Sequence, residues 1–150
     1  MTALRRAIME DASLLYVWRN HPTTRAMMFD SKPVSWKEHL QWLRNVMEDS
    51  SRRLFIARRA GLSLGTVRYD VEGGEAFVSV TVAPGHRGCG VGAEILRLGN
   101  AEMQKVGVKT IKAVIKTENT ASQKAFAQAG YAETRRTETE VTMTCQMISP

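Results

Sequence analysis

A short stretch after one strand has the residues to hold a phosphate. Val78, Val80 and Val82 alternate with Ser79 and Thr81, the period of a strand with two unlike faces, and Pro84-Gly85 ends it. Arg87, Gly88, Gly90 and Gly92 then crowd together ahead of an apolar helical run. Glycines leave backbone N–H groups uncovered, and the helix start behind them adds a positive dipole end. Together these make a cradle for a phosphate or pyrophosphate. A strand-to-helix turn with no ligand is the alternative. Glycines alternating across a helix start cost that helix stability, which favours a ligand as their reason.

Exclusion narrows the ligand. No Gly-Lys-Ser/Thr closes the turn, which disfavours a P-loop nucleotide site. Ile95 stands where a dinucleotide fingerprint needs its third glycine, and the preceding strand is amphipathic and hairpin-linked. Arg87-x-x-Gly90-x-Gly92 after Val80-x-Val82 instead resembles the acetyl-coenzyme A motif, Gln/Arg-x-x-Gly-x-Gly/Ala, of the GNAT superfamily of N-acetyltransferases. Further along, Asn119-x-x-Ser122-x-x-x-Phe126-x-x-x-Gly130-Tyr131 is similar to that family's second hallmark. Read locally it is a capped helix, with Asn119 or its predecessor at the N-cap and Gly130 at a left-handed C-cap. Two motifs in the right order make the resemblance specific, and it covers nearly the whole chain.

The resemblance implies acetyl-coenzyme A as co-substrate, no metal, and direct attack by an amine on the thioester without a protein nucleophile. It lays the pantetheine along Val80, Thr81 and Val82. It sets the pyrophosphate on the amides of Arg87, Gly88, Cys89, Gly90, Val91 and Gly92, adds Ala93 to the coenzyme-binding residues, and puts the thiol end near Asn119, Ser122 and Phe126. A backbone N–H of the 80–82 strand is expected to meet the developing oxyanion, where that strand splays from the one at 110–115. Many members carry Tyr seven residues after the Asn, as acid to the leaving thiolate. Here that position is Phe126, which cannot donate. Tyr131 and Ser122 are the substitutes, against plain readings as an apolar cap contact and a solvent-facing helix serine. Glu75, opening the central strand, leads the candidates for the base, ahead of His86 and Asp70; a charge flanking a Gly-Gly turn is its bland alternative. Cys89 reads as a small spacer.

Acceptor choice falls to the N-terminal third, which packs over that side in this family. Trp18, Arg19 and Asn20 end a helix before His21-Pro22, Met27-Met28-Phe29 follows, and His39 precedes Trp42. Arg19 offers a planar fork to a phosphate or carboxylate, and Trp18 a face for a base or sugar, with core packing of Trp18 as the alternative. These segments resemble the branch that includes ribosomal-protein acetyltransferases (RimJ/RimL type) and, more closely, the acetyltransferases of pseudaminic-acid synthesis (PseH type). The closer resemblance implies the primary amine of a nucleotide-linked amino sugar as acceptor, and the other a protein N-terminus. A coenzyme A-binding module without catalysis is the remaining class, suggested by Phe126 and the unassigned base. Final strands pair between subunits in many members, which leaves a homodimer open.

Composition agrees. A chain of 150 residues, 43% hydrophobic and 24% charged, is expected to form one domain over residues 1–150 around one core. No apolar run reaches a membrane span, and the N-terminus lacks a signal-type apolar core. Cys89 and Cys145 have no metal or redox spacing, which suits a reducing cytoplasm. The net charge of +6 is scattered, with only short pairs such as Arg52-Arg53. An anionic cofactor or nucleotide-linked substrate explains that better than nucleic acid.

The elements that must position these residues follow from periodicity. Strands are expected at 4–9, 54–58, 62–71, 75–82, 110–115, 131–135 and 140–147. Helices are expected at 10–19, 23–29, from the Ser35 capping box through 49, at 91–106, and after Asn119. The resulting class is α/β (α+β): the GNAT fold, a mixed central sheet of about seven strands with helices on both faces, splayed between the fourth and fifth strands.

Overall fold

A computed structural model of the chain describes residues 1–147. Its strands are β1 (Ala3–Arg6), β2 (Arg52–Arg59), β3 (Leu62–Glu72), β4 (Glu75–Val82), β5 (Thr110–Lys116), β6 (Ala132–Arg136) and β7 (Glu140–Gln146). Its helices are α1 (Ala12–Asn20), α2 (Pro22–Arg25), α3 (Trp36–Glu48), α4 (Val91–Lys105) and α5 (Thr120–Gln128). The strands form one mixed sheet in the order β1-β2-β3-β4-β5-β7-β6. Only β4 and β5 run parallel, because α4 carries the chain between them; the other neighbours are antiparallel. The expected architecture is the one observed.

Alternation along β2 shows why helices cover both faces. Leu54 and Ile56 pack with Leu15, Trp18, Leu43 and Val46 of α1 and α3. Phe55 and Ala57 join Ile95, Leu96 and Met103 of α4 in the larger cluster, which also takes Phe126 of α5. Side-chain caps start three of the helices, and at α2 His21 Nδ1 accepts from the Thr23 N–H at 3.3 Å. Ser35 Oγ accepts from the Glu38 N–H at 3.2 Å, and Asn119 Oδ1 accepts from the Ser122 N–H at 3.1 Å.

Two boundaries in the N-terminal third differ from expectation. The first strand ends at Arg6 rather than residue 9, and a 3-10 turn at Met9–Asp11 follows. Asp11 makes that turn: its carboxylate accepts from the Ile8 N–H at 2.8 Å and from both ends of the Arg5 guanidinium at 2.8 and 2.7 Å. The second helix stops at Arg25 instead of Phe29. Asn20 accounts for the path beyond it, donating to the Val34 carbonyl at 2.8 Å and accepting from its N–H at 2.9 Å. Residues 26–35 are thereby held as a loop. No described helix is long and apolar enough to cross a membrane.

Candidate active site

The parallel pair is short. β4 and β5 meet only at Glu75–Thr110, Ala76–Ile111 and Phe77–Lys112. Beyond Phe77 they part, and β4 from Val78 to Val82 keeps its β3 partner but has none on the β5 side. The gap is the mouth of a cleft of about 790 Å³, lined by both strands, the glycine loop and the start of α5. An unpaired strand edge inside a cleft offers main-chain donors and acceptors to an extended ligand.

The glycine loop closes one side. Gly88 and Gly90 have φ of +81° and +76°, a left-handed conformation that any side chain would strain. A Cβ on either would meet nothing within 4 Å, so the space above the loop is open. No side chain caps α4, whose N-cap is Gly90, so its first N–H groups are left without a side-chain acceptor. Gly92 instead serves close packing, since its Cβ would lie 3.4 Å from both Ala125 and Val82. The cleft lining carries His86, Arg87 and Lys124 and no Asp or Glu, a balance suited to an anion. Open glycines, an uncapped helix start and basic walls fit coenzyme A phosphates.

Arg87 is committed elsewhere. Its Nε donates to the Val82 carbonyl at 3.2 Å, Nη2 to Thr24 Oγ1 at 2.6 Å, and Nη1 to Thr23 Oγ1. Partial burial lowers its pKa. The guanidinium therefore ties α2 to the end of β4, and the loop amides are left as the free donors. Val80, Thr81, Val82, Gly88, Val91, Asn119, Ser122 and Phe126 all line the cleft as expected, whereas Cys89 and Ala93 stand outside the lining.

The two residues placed first for proton transfer also stand outside it. Tyr131 is 4% exposed, and its hydroxyl donates to Asn100 Oδ1 at 2.8 Å, an oxygen shared with Tyr69 at 3.1 Å. Burial pushes the Tyr131 phenol far up, with Cys145 adding to the rise and the Asn100 bond opposing it. Glu75 lies at the closed end of the strand pair, with Lys112 Nζ 3.4 Å away. Asp70 accepts from Arg52 Nε at 3.2 Å on the neighbouring strand. Of the base candidates, His86 lines the cleft.

The acceptor candidates separate in the same way. Trp18 is 6% exposed, in the core with Leu15 and Leu43. Asn20 is spent on Val34. His39 is fully buried among Tyr16, Trp36 and Trp42, with Nε2 2.9 Å from the Ala12 carbonyl. Arg19 and Asn20 are half-buried, and of the two Arg19 keeps its side chain out of hydrogen bonds among the described residues, its guanidinium 5.2 Å from the Trp42 ring centroid. Sequence reasoning passed over Arg68, whose guanidinium lies 5.8 Å from the same ring. Its only signal was the polar alternation Thr66, Arg68, Asp70 in β3.

A family model described as an acetyltransferase (GNAT) domain matches residues 2–132. Acetyltransferase PseH of Campylobacter jejuni subsp. jejuni serotype O:2 is 24% identical over 127 residues, 79% of this chain and 75% of that protein. The structure of aminoglycoside acetyltransferase AAC(6')-Ib with paromomycin and acetyl-coenzyme A matches with a TM-score of 0.86 at 19% identity, over 97% of this chain and 93% of that one. Spermidine N-acetyltransferase of Vibrio cholerae, solved with coenzyme A and spermine, matches with a TM-score of 0.87 at 17% identity, over 97% and 95%. The structural likenesses show the fold. The family match shows more: the chain belongs to the GNAT acetyltransferases, acyltransferases that draw on acetyl-coenzyme A.

Proposed function

We propose that this chain transfers an acetyl group from acetyl-coenzyme A directly to a primary amine of a small molecule, an amino sugar linked to a nucleotide. The observation that carries the reading is the unpaired edge of β4 from Val78 to Val82, set between the glycine loop and the start of α5. Bound there, the co-substrate supplies an activated acetyl thioester. The loop amides and the α4 N-terminus hold its phosphates, and the free β4 edge pairs with its pantetheine arm. An N–H of that edge is placed to hold negative charge on a carbonyl oxygen, in a cleft whose walls are partly apolar.

The chain's own groups supply little acid or base. With no carboxylate in the cleft lining, the acceptor amine gives its proton to water or to His86. Phe126 and a hydrogen-bonded, buried Tyr131 leave the thiolate to depart on its own acidity or take a proton from Ser122 or water. The amino-sugar acceptor is supported by the relative PseH and by the basic surface beside β4. The same scarcity of acid and base favours a second reading, a coenzyme A-binding module without catalysis. A peptide or ribosomal-protein N-terminus is the other acceptor to be tried. Acetyl incorporation and thiol release are measured over a panel of nucleotide-linked amino sugars, free amino sugars and N-terminal peptides. Turnover fastest with the first group is expected; coenzyme binding without transfer to any amine would leave the module reading. Free thiols at Cys89 and Cys145 support a cytoplasmic setting.

A further inference from the structure

Outside the cleft, Arg68 of β3 and Arg19 of α1 are two cations that the reaction described above leaves unused. Cross-strand pairs put Thr66 beside Thr81, Arg68 beside Ser79 and Asp70 beside Phe77 on one face. Ser79 and Phe77 are exposed there, so helices leave this part of the sheet open. Ser79 also lines the cleft. Arg68 therefore stands one strand away from the unpaired edge, on the side of the sheet that α1 and α3 flank.

Arg68 is poorly satisfied. Its side chain is 25% exposed, and Nε lies 3.2 Å from Asp70 Oδ1 without hydrogen-bond geometry. That nitrogen is buried with no hydrogen-bond partner among the described residues, and Asp70 Oδ1 already accepts from Arg52. Arg19 is half-buried and, among the described residues, makes no hydrogen bond or ion pair within 4 Å; Asp30 and Glu38 act on it only at longer range. Both guanidinium groups lie over the Trp42 ring, close enough that Arg68 disfavours the charge on Arg19. Buried donors without acceptors are rare in native folds and call for a reason. Trp42 holds the two forks near one another, and its ring is thereby covered rather than free to stack on a base.

We propose that Arg19 and Arg68, positioned by Trp42, form a subsite for the phosphate or diphosphate group of the acceptor, with Arg68 the specificity-determining residue nearest the cleft. This rests on the acetyl-transfer reading for the site itself. Two planar forks match phosphate oxygens bidentately, and the anion relieves the repulsion between them. A phosphate held there leaves the rest of the acceptor to reach past Ser79 to the β4 edge.

The test uses the whole chain saturated with coenzyme A, so that the glycine loop is filled, and inorganic pyrophosphate as probe in calorimetry. Pyrophosphate should bind the parent, and Arg68→Gln and Arg19→Gln should each weaken it by about tenfold or more, with coenzyme A affinity unchanged. Arg68→Lys should recover only part, since an ammonium keeps the charge and loses the fork. In kinetics, glucosamine 1-phosphate and UDP-glucosamine should show lower KM than glucosamine. Arg68→Gln should raise the KM of the phosphorylated pair alone, and their ranking separates a phosphate from a diphosphate site. No pyrophosphate binding by the parent, or binding by both glutamine variants as tight as the parent's, would overturn the subsite and leave the arginines as covers for Trp42. Pyrophosphate binding that depends on Arg68, with no amine acetylated, would defeat the acetyl-transfer reading and leave the subsite standing.

Discussion

The rings of Phe126 and Tyr131 meet edge to face, their centroids 4.9 Å apart and their planes at 86°. Phe126 occupies the position from which many relatives donate a proton, and Tyr131 was its nearest phenolic substitute. Phe126 has no donor to offer, and the burial of Tyr131 explains why the phenol does not donate into the cleft either. Phe126 buries its ring against Tyr131, and Tyr131 turns its hydroxyl to Asn100. The pair is a core contact, of which Phe126 alone lines the cleft.

Phe126→Tyr should therefore change turnover by less than about threefold while lowering stability. The added hydroxyl would enter a side-chain site only 2% exposed, where an unpaired polar group costs about 1–3 kcal/mol. Tyr131→Phe should also spare turnover and cost about 1 kcal/mol, for one lost hydrogen bond to Asn100. Acetyl-transfer rates beside urea unfolding curves check both. A turnover gain of tenfold or more in Phe126→Tyr would mean that thiolate protonation limits the parent.

Gly90 should be the most sensitive position of the loop. With φ at +76°, an alanine there is strained by about 1–2 kcal/mol, and its methyl enters the open space assigned to phosphate. Gly90→Ala should weaken coenzyme A binding by about tenfold, read by calorimetry, with a smaller change in melting temperature. Unchanged affinity in a folded variant would remove the loop from the coenzyme site.

Gly65 sits under the cofactor strand for a different reason. It pairs with Val82, and a Cβ there would stand 2.5 Å from the Thr81 carbonyl oxygen and 3.1 Å from Val82 Cα. Backbone cannot swing aside as a flexible side chain would, so β3 and β4 must part where β4 borders the cleft. Gly65→Ala should cost about 1–3 kcal/mol in urea unfolding and reduce coenzyme A affinity in step. A variant as stable as the parent would show that the two strands approach less closely than this.

Gly65 also shows what the sequence could and could not disclose. The glycine loop, the Asn119 cap and the hairpin glycines announce themselves by local chemistry, because backbone conformation and capping depend on neighbours in the chain. The close approach at Gly65, the Arg68–Trp42–Arg19 cluster and the burial of His39 arise between residues far apart in sequence. Trp18 and His39 offered suitable chemistry for an acceptor, yet hydrophobic packing of α1 and α3 on the sheet took both inward. Periodicity predicts helix through Phe29, whereas the ties that hold 26–35 as a loop, Asn20 to Val34, span fourteen positions. Periodicity located the sheet, and side-chain partnership decided which polar residues remained available.

His39 gives the fold a pH dependence whose sign follows from its surroundings. Its Nε2 donates to the Ala12 carbonyl, so Nδ1 carries the lone pair, and that atom is buried with no partner. Burial lowers its pKa below 6.5; the Ala12 bond opposes this, and Arg19 adds to the fall. The folded chain thus prefers neutral His39, and the unfolded chain binds the extra proton first as pH drops. Stability from this residue is fully present above about pH 6.5 and is lost as pH falls toward the lower folded value, by up to about 1.4 kcal/mol per pH unit. Asp11 acts later, because Arg5 lowers its pKa from 3.8 and its contribution is kept until strongly acidic pH. Urea unfolding between about pH 7.5 and 5.5 should show the parent weakening, while His39→Leu, which cannot titrate, stays nearly flat over the same window. A parent curve as flat as that of the variant would mean that His39 takes its proton inside the fold at no cost.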